Sequence, residues 1–250
     1  MQDKYPGNMV PVHSQDIPDP AMYTCKDCAT LSVYCRAKDG VIKDCLRDTP
    51  FEFVSNDFVV YVSDMTQACF EVGGFYDMGL IIPVRYGDVI GGHYLYEFES
   101  EDYGIACGRE IWGYPKKFAD GMLEEKDGKV IAAGIKRGVE IIKLEVDFNK
   151  PVQKPLPDIK LIPHIQLQTI PAADHHGIYS QRICARDTSA DYVGKRAEQG
   201  AGKATLRSVV RTPIGDFDPE EVYGATFTVG DTASTEEHGW AKILAVLVKP

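Results

Sequence analysis

Residues Cys107-Gly108-Arg109-Glu110-Ile111-Trp112-Gly113-Tyr114-Pro115-Lys116-Lys117-Phe118-Ala119-Asp120 place two adjacent lysines directly after a proline, inside a run of aromatic and apolar side chains. Pro115 fixes its own φ and biases Tyr114 toward an extended backbone, so the lysines leave a strand end in a defined direction. A lysine held among Trp112, Tyr114 and Phe118 loses water, and a second ammonium beside it adds like-charge repulsion. Both effects lower its pKa and favour a neutral amine, which is a nucleophile toward ketones. Bringing a lysine from about 10.4 to about 6 requires roughly 6 kcal/mol of differential stabilisation. One neighbouring charge in water supplies about 1 kcal/mol at 4 Å, so desolvation has to carry most of it. The plain alternative for such a pair is a solvated turn.

The surrounding chain reads as strands. Leu31–Arg36 is extended, and Val41, Ile42, Cys45 and Leu46 recur at helical spacing, giving a short helix stopped before Pro50. Phe58–Val62 is a buried strand, and Ala68–Phe75 continues the sheet. Ile81–Val84 follows, with Pro83 suggesting an edge or a bulge. His93–Phe98 alternates, which sets Tyr94, Tyr96 and Phe98 on one face and His93, Leu95 and Glu97 on the other. Tyr103–Glu110 is expected to be the strand that delivers the lysines. Asp127-Gly128 and Arg137-Gly138 mark tight turns on either side of Val130–Ala133, before an alternating Ile142, Leu144, Val146 and Phe148. Pro151–Pro157 is either a linker or a long surface loop. Leu206–Val210 and Ile243–Val248 supply the last strands. The pattern predicts an α+β protein, mainly antiparallel β, with its sheet formed into a barrel or cone and a few helices packed outside. Residues 1–24 carry Pro6, Pro11, Pro18 and Pro20 and read as an extended arm, followed by a single domain over 25–250.

Composition narrows the function. A net charge of −10 in 250 residues argues against nucleic acid as a partner, because phosphate binding needs clustered Lys and Arg. An acidic protein that binds an anionic substrate needs a local positive site against its own field. No run approaches the roughly 20 apolar residues of a membrane span, and the first residues lack a signal-peptide core. Seven cysteines, an odd number, argue against a disulfide framework and for reduced thiols in the cytoplasm.

Three motifs fall short of a function. Cys25-Lys26-Asp27-Cys28 lacks the second Cys-x-x-Cys of a zinc ribbon and leads into a strand, so its thiols are read as buried rather than metal-binding. Gly200-Ala201-Gly202-Lys203 has Ala197 and Ala204 where a phosphate loop needs Gly and Ser or Thr. His175-His176 is an adjacent pair whose side chains point apart. No Gly-x-Ser-x-Gly elbow occurs.

Gly108-Arg109-Glu110, three spacer residues and Tyr114-Pro115-Lys116-Lys117 resemble the active-site segment of the acetoacetate decarboxylase family. Phe70-Glu71, Gly79 and Ile82-Pro83-Val84 stand in the family's order, and weaker similarity runs through Ile170-Pro171 and Arg182-Ile183-Cys184. The resemblance implies that fold; a homo-oligomer is expected, and nothing in the sequence implies a cofactor or a metal. It implies a Schiff-base enzyme acting on a small keto acid, most directly the decarboxylation of acetoacetate or a related β-keto acid. By position, Lys116 matches the Schiff-base lysine and Lys117 the second lysine. Glu71 and Asp77 match the two active-site acids, Asp77 being one methylene shorter than the family's glutamate. Tyr114, Trp112 and Arg109 are read as the substrate wall, with Arg109 a buried partner for a carboxylate. Where the family carries an upstream arginine, this chain has Cys28, with Lys26 close by. Some members instead condense pyruvate with an aldehyde and dehydrate the product, and a binding protein of the same fold is a further alternative.

Overall fold

Strands dominate the chain because alternating and continuous apolar runs recur between short turns, and one long sheet absorbs them. The computed structural model describes residues 23–69, 73–174 and 176–249. Glu71, His175 and most of the expected N-terminal arm therefore lie outside the described residues. The first half holds β1 (Tyr23–Arg36), α1 (Val41–Leu46), β2 (Glu52–Phe53), β3 (Asp57–Met65), β4 (Ala68–Cys69), β5 (Phe75–Tyr86) and β6 (Val89–Glu99). Next come α2 (Asp102–Cys107), a π-helical turn (Gly108–Trp112), β7 (Lys116–Phe118), β8 (Asp120–Lys126), β9 (Lys129–Lys136) and β10 (Val139–Asp147). The remainder is β11 (His164–Pro171), β12 (Ile178–Arg186), β13 (Val193–Leu206), β14 (Glu221–Ser234) and β15 (Lys242–Val248).

The hydrogen-bonded order is β15-β12-β11-β6-β5-β3-β1-β14-β13-β10-β9-β8. Pairing is antiparallel apart from β7 and β11, which run parallel to β6. The expected mainly antiparallel architecture with few helices is thus the one observed. Among the described residues the path stays open between β15 and β8 instead of closing into a barrel. Asp127 (φ 53°) with Gly128 (φ 74°), and Arg137 (φ 54°) with Gly138 (φ 74°), form the two-residue turns of the β8–β9 and β9–β10 hairpins. Pro83 sits inside the sheet, not at an edge. The β3 ladder ends at Ile81 and the β2 ladder begins at Val84, so its missing N–H interrupts neither.

The sheet is buried on both faces near its middle. Leu31 and Val33 (β1), Val60 and Val62 (β3), and Met78, Leu80 and Ile82 (β5) form the main core with Ile142 and Leu144 of β10. Each such side chain contributes about 1.5–3 kcal/mol on burial. Their strand neighbours Tyr61 and Ile81 point the other way and pack with Tyr94, Cys107, Trp112 and Tyr114 in a second cluster. That second face carries the site.

Three local expectations are corrected. Tyr103–Glu110 is helical, not a strand: it comprises most of α2 and the start of the π-helical turn. The lysines are delivered by the turn that follows. Strand β13 ends at Leu206, and beyond it Val209 makes only an isolated bridge to Thr212. Strand β6 does not alternate uniformly, because a register shift opposite Leu80 and Ile81 pairs them with Tyr96 and Tyr94 and leaves Leu95 as a bulge. The segment 151–157 packs on the sheet: Lys154 N–H donates to Tyr223 O, and Val152 and Leu156 lie against Gly224. Gly200–Lys203 lies within β13.

Candidate active site

A cavity of about 250 Å³ opens on the second face. Lys116 reaches it through local geometry that its neighbours dictate. The π-helical turn ends at Gly113 in the left-handed region (φ 82°), which favours glycine, and a Cβ there would lie 2.6 Å from the Gln168 backbone. The Gln168 amide donates to the carbonyls of Glu110 (2.7 Å) and Ile111 (2.9 Å), satisfying the end of the turn. Pro115 directly precedes β7, which lies parallel to β6 with Lys116 opposite Glu97 and Lys117 opposite Phe98. Successive residues of a strand face opposite sides, so the two lysines part. Lys116 enters the cavity, its stem resting on Gly108, where an added Cβ would come within 2.6 Å of its Cδ. Lys117 is exposed and donates to Arg211 O at 3.2 Å.

The Lys116 ammonium is met by three acids. Its Nζ lies 2.8 Å from Asp77 Oδ2 and 3.5 Å from Glu97 Oε1, and it donates to Glu99 Oε2. The Tyr61 hydroxyl donates to the other oxygen of Asp77. Asp77 comes from β5, and Glu97 and Glu99 from β6. The Leu95 bulge puts those two acids on the same side as Tyr94 while Phe98 stays in the core. Glu97 Oε2 and Glu99 Oε1 are buried without a hydrogen-bond partner among the described residues.

This arrangement reverses the expected lysine electrostatics. Burial disfavours the Lys116 ammonium, but Asp77, Glu99 and Glu97 together outweigh it and hold its pKa well above the usual lysine value. Lys117 points away and contributes no lowering. The displaced protons appear on the acids instead. Burial raises Glu97 well above the carboxylate range, against the pull of Lys116. Burial likewise lifts Glu99, to about 7. The site therefore holds a charged amine beside two acids whose burial favours their protonated forms, with Glu99 in direct contact with the lysine nitrogen and placed to take its proton.

Two expected wall residues are in place: Trp112 and Tyr114 are buried and line the cavity. Arg109 does not. It is exposed and donates to the Lys116 carbonyl at 3.3 Å, so it braces the lysine's backbone and pairs with no carboxylate among the described residues. The π-helical turn, in place of a strand, is what turns it outward.

The sequence reading omitted Tyr61, Glu97, Glu99, His164 and Arg186, all of which line the cavity. Two acids at i, i+2 around Phe98 were the available signal, since a strand with an apolar core face sends both to its other side. Nothing local marked His164 or Arg186, which meet only through the β11–β12 register. Tyr114 and His164 are joined by a 2.9 Å contact between the hydroxyl and Nδ1. Burial, reinforced by Arg186, drops His164 to about 3 and keeps it neutral.

A mainly antiparallel sheet bearing a buried lysine among carboxylates defines the class: a β-rich protein with a cavity on one sheet face. The chain belongs to the acetoacetate decarboxylase family, whose profile, described as acetoacetate decarboxylase, matches residues 5–242. An acetoacetate decarboxylase of Acidiphilium cryptum is 32% identical over 167 residues, covering 64% of this chain and 65% of that protein, just under two thirds of its length. The crystal structure of acetoacetate decarboxylase from Legionella pneumophila superimposes with a TM-score of 0.77 at 19% identity, covering 90% of this chain and 88% of that one. The enduracididine biosynthesis enzyme MppR complexed with pyruvate shares the fold at a TM-score of 0.70 and 15% identity, with 90% of each chain covered.

Proposed function

We propose that this protein is a lysine Schiff-base enzyme for small keto acids, and that it decarboxylates a β-keto acid to a ketone and CO2. The observation that carries the reading is the Lys116 amine in a cavity, with Asp77 at 2.8 Å and Glu97 at 3.5 Å beside a Glu99 contact. A lysine paired with one acid is a structural feature. One that faces a cavity among three acids, two of them with raised pKa values, is equipped for proton transfer.

The steps follow from those groups. Lys116 gives its proton to Glu99, and the freed amine adds to the substrate ketone. The carbinolamine loses water with a proton from Glu97, whose burial favours its protonated form, leaving an iminium. The bond to the carboxylate then breaks, its electron pair flows to the iminium nitrogen, and CO2 departs. The Asp77 carboxyl, fixed by the Tyr61 hydroxyl, disfavours a substrate carboxylate held close to it. The enamine carbon takes a proton back from a neighbouring acid, and water hydrolyses the iminium to free the ketone and Lys116.

A second reading has one observation in its favour. Condensing pyruvate with an aldehyde requires the donor's carboxylate to be gripped, and Arg186 faces the same cavity. Supplying acetoacetate, and separately pyruvate with an aldehyde, distinguishes the two. CO2 release supports decarboxylation; rapid formation of an unsaturated keto acid with no CO2 from any β-keto acid overturns it.

A further inference from the structure

Arg186 ends β12 with 8% exposure, opposite His164 in the β11–β12 register. Its Nε donates to Gly239 O at 2.8 Å and its Nη2 to Ser234 Oγ at 2.9 Å. Its guanidinium lies 4.2 Å from the Trp112 ring centroid. Stacking and neutral hydrogen-bond partners, Gly239, Ser234 and the Tyr23 and Tyr114 hydroxyls, fix the plane of the group without neutralising it. No carboxylate among the described residues pairs with it, although three crowd the lysine across the same cavity. A buried charge left in this condition is costly, and an anion that reaches it recovers part of that cost.

The cavity thus has two poles. At one, Lys116 sits among Asp77, Glu97 and Glu99. At the other, Arg186 stands beside the hydroxyls of Tyr23 and Tyr114, both of which feel the charges of Arg186 and of Lys116 and so lie between the poles. Guanidinium carries five N–H donors: Gly239 and Ser234 take two, and the Tyr23 and Tyr114 hydroxyls also bond to it, all neutral partners that a planar anion can join or displace. Cys28 lines this same cavity, at the position where the family resemblance led to an arginine. The positive charge has come to the pocket from another strand.

We propose that Arg186 is the receptor for a second, retained carboxylate, so that the substrate is a β-oxo dicarboxylic acid rather than a monocarboxylate such as acetoacetate. This rests on the decarboxylase reading for the fate of the first carboxylate. The carbonyl reaches Lys116 and the distal carboxylate docks on Arg186. The carboxylate β to the ketone is left at the acidic pole, where it finds no cation other than the lysine already engaged. Loss of CO2 then yields an oxo monocarboxylic acid that leaves with its other carboxylate intact.

The test uses the full chain and borohydride trapping, which reports occupancy of Lys116 whether or not CO2 is lost. Wild-type protein should be half-trapped by 3-oxoadipate at a concentration about tenfold or more below that for acetoacetate, the scale of a charge-assisted contact. The distal methyl ester of 3-oxoadipate, one methyl larger and uncharged there, should lose that advantage. This arm needs no variant. Arg186→Gln should raise the 3-oxoadipate requirement by about tenfold or more and leave acetoacetate within about threefold, with Arg186→Lys intermediate because it lacks the fork. Equal trapping of the diacid and its ester by wild type overturns the proposal, as does an equal loss for both keto acids in Arg186→Gln. Pyruvate trapped more readily than the diacid, with the same dependence on Arg186, also overturns the dicarboxylate assignment. Arg186-dependent preference for the diacid without CO2 release leaves the receptor standing and removes the decarboxylase reading.

Discussion

Asp77→Asn should speed imine formation and slow turnover. Asp77 Oδ2 lies 2.8 Å from a lysine nitrogen whose side chain is 12% exposed. At that distance, with an effective dielectric of about 20, the pair attracts by about 6 kcal/mol. Asparagine keeps an oxygen to accept the Tyr61 hydrogen bond, and Glu97 and Glu99 remain to compensate the ammonium. About half of the attraction, or about 3 kcal/mol, is therefore the expected loss, equivalent to about a hundredfold more neutral Lys116 at a fixed pH below its pKa. Borohydride trapping of a keto acid at pH 7, followed by intact-protein mass spectrometry, should be faster by up to that factor. CO2 release per trapped complex should fall, by about a hundredfold if Asp77 has the weight of a positioned acid or base. Trapping that slows in step with CO2 release, in a variant that melts within a few degrees of wild type, refutes the argument that Asp77 holds the amine in its charged form.

Lys117→Ala should leave trapping and its pH profile within about threefold, because the exposed ammonium points to Arg211 O and interacts only weakly through solvent; abolished labelling measured across pH 6–10 would contradict this. Glu99→Gln should change the pH dependence of stability. The Glu99 pKa is raised from 4.5 to about 7, so the native state binds the extra proton and wild type loses stability as pH rises through that window. The wild-type disadvantage relative to the variant should grow by about 3 kcal/mol between pH 4.5 and pH 7 in denaturant titrations. The comparison must be made against the variant, because neutral buried His93 and His164, lowered to about 4 and about 3, act in the opposite sense. Gly108→Ala should cut trapping by about tenfold or more with little change in melting temperature, since the added methyl meets only the flexible Lys116 stem at 2.6 Å.

Hairpins were the most legible part of the chain, because Asp127-Gly128 and Arg137-Gly138 demand left-handed backbone and the flanking residues alternate. The lysine that enters the cavity was legible too, but not its electrical state. That depends on Glu97 and Glu99, and a single bulge at Leu95 decides which face they share. Period-two counting through His93–Phe98 cannot see a residue that drops out of register. The adjacent lysines misled for a related reason: proximity in sequence suggested mutual repulsion, whereas strand β7 sends them to opposite sides. The helical character of Tyr103–Trp112 was masked by glycines and aromatics, and tertiary contacts such as Gln168 on the Glu110 and Ile111 carbonyls hold it. Arg186 was invisible as a pocket residue because its surroundings, Trp112, Ser234 and Gly239, are distant in sequence.

In the proposed reaction the Lys116 amine is the group that bonds to substrate. Borohydride reduction in the presence of acetoacetate or 3-oxoadipate, followed by peptide mapping, tests it directly. The account predicts that the added mass resides on Lys116, and that Lys116→Ala and Lys116→Arg, the latter permanently charged, abolish both label and CO2 release. Label on Lys117, or label at undiminished yield in Lys116→Ala, would contradict it.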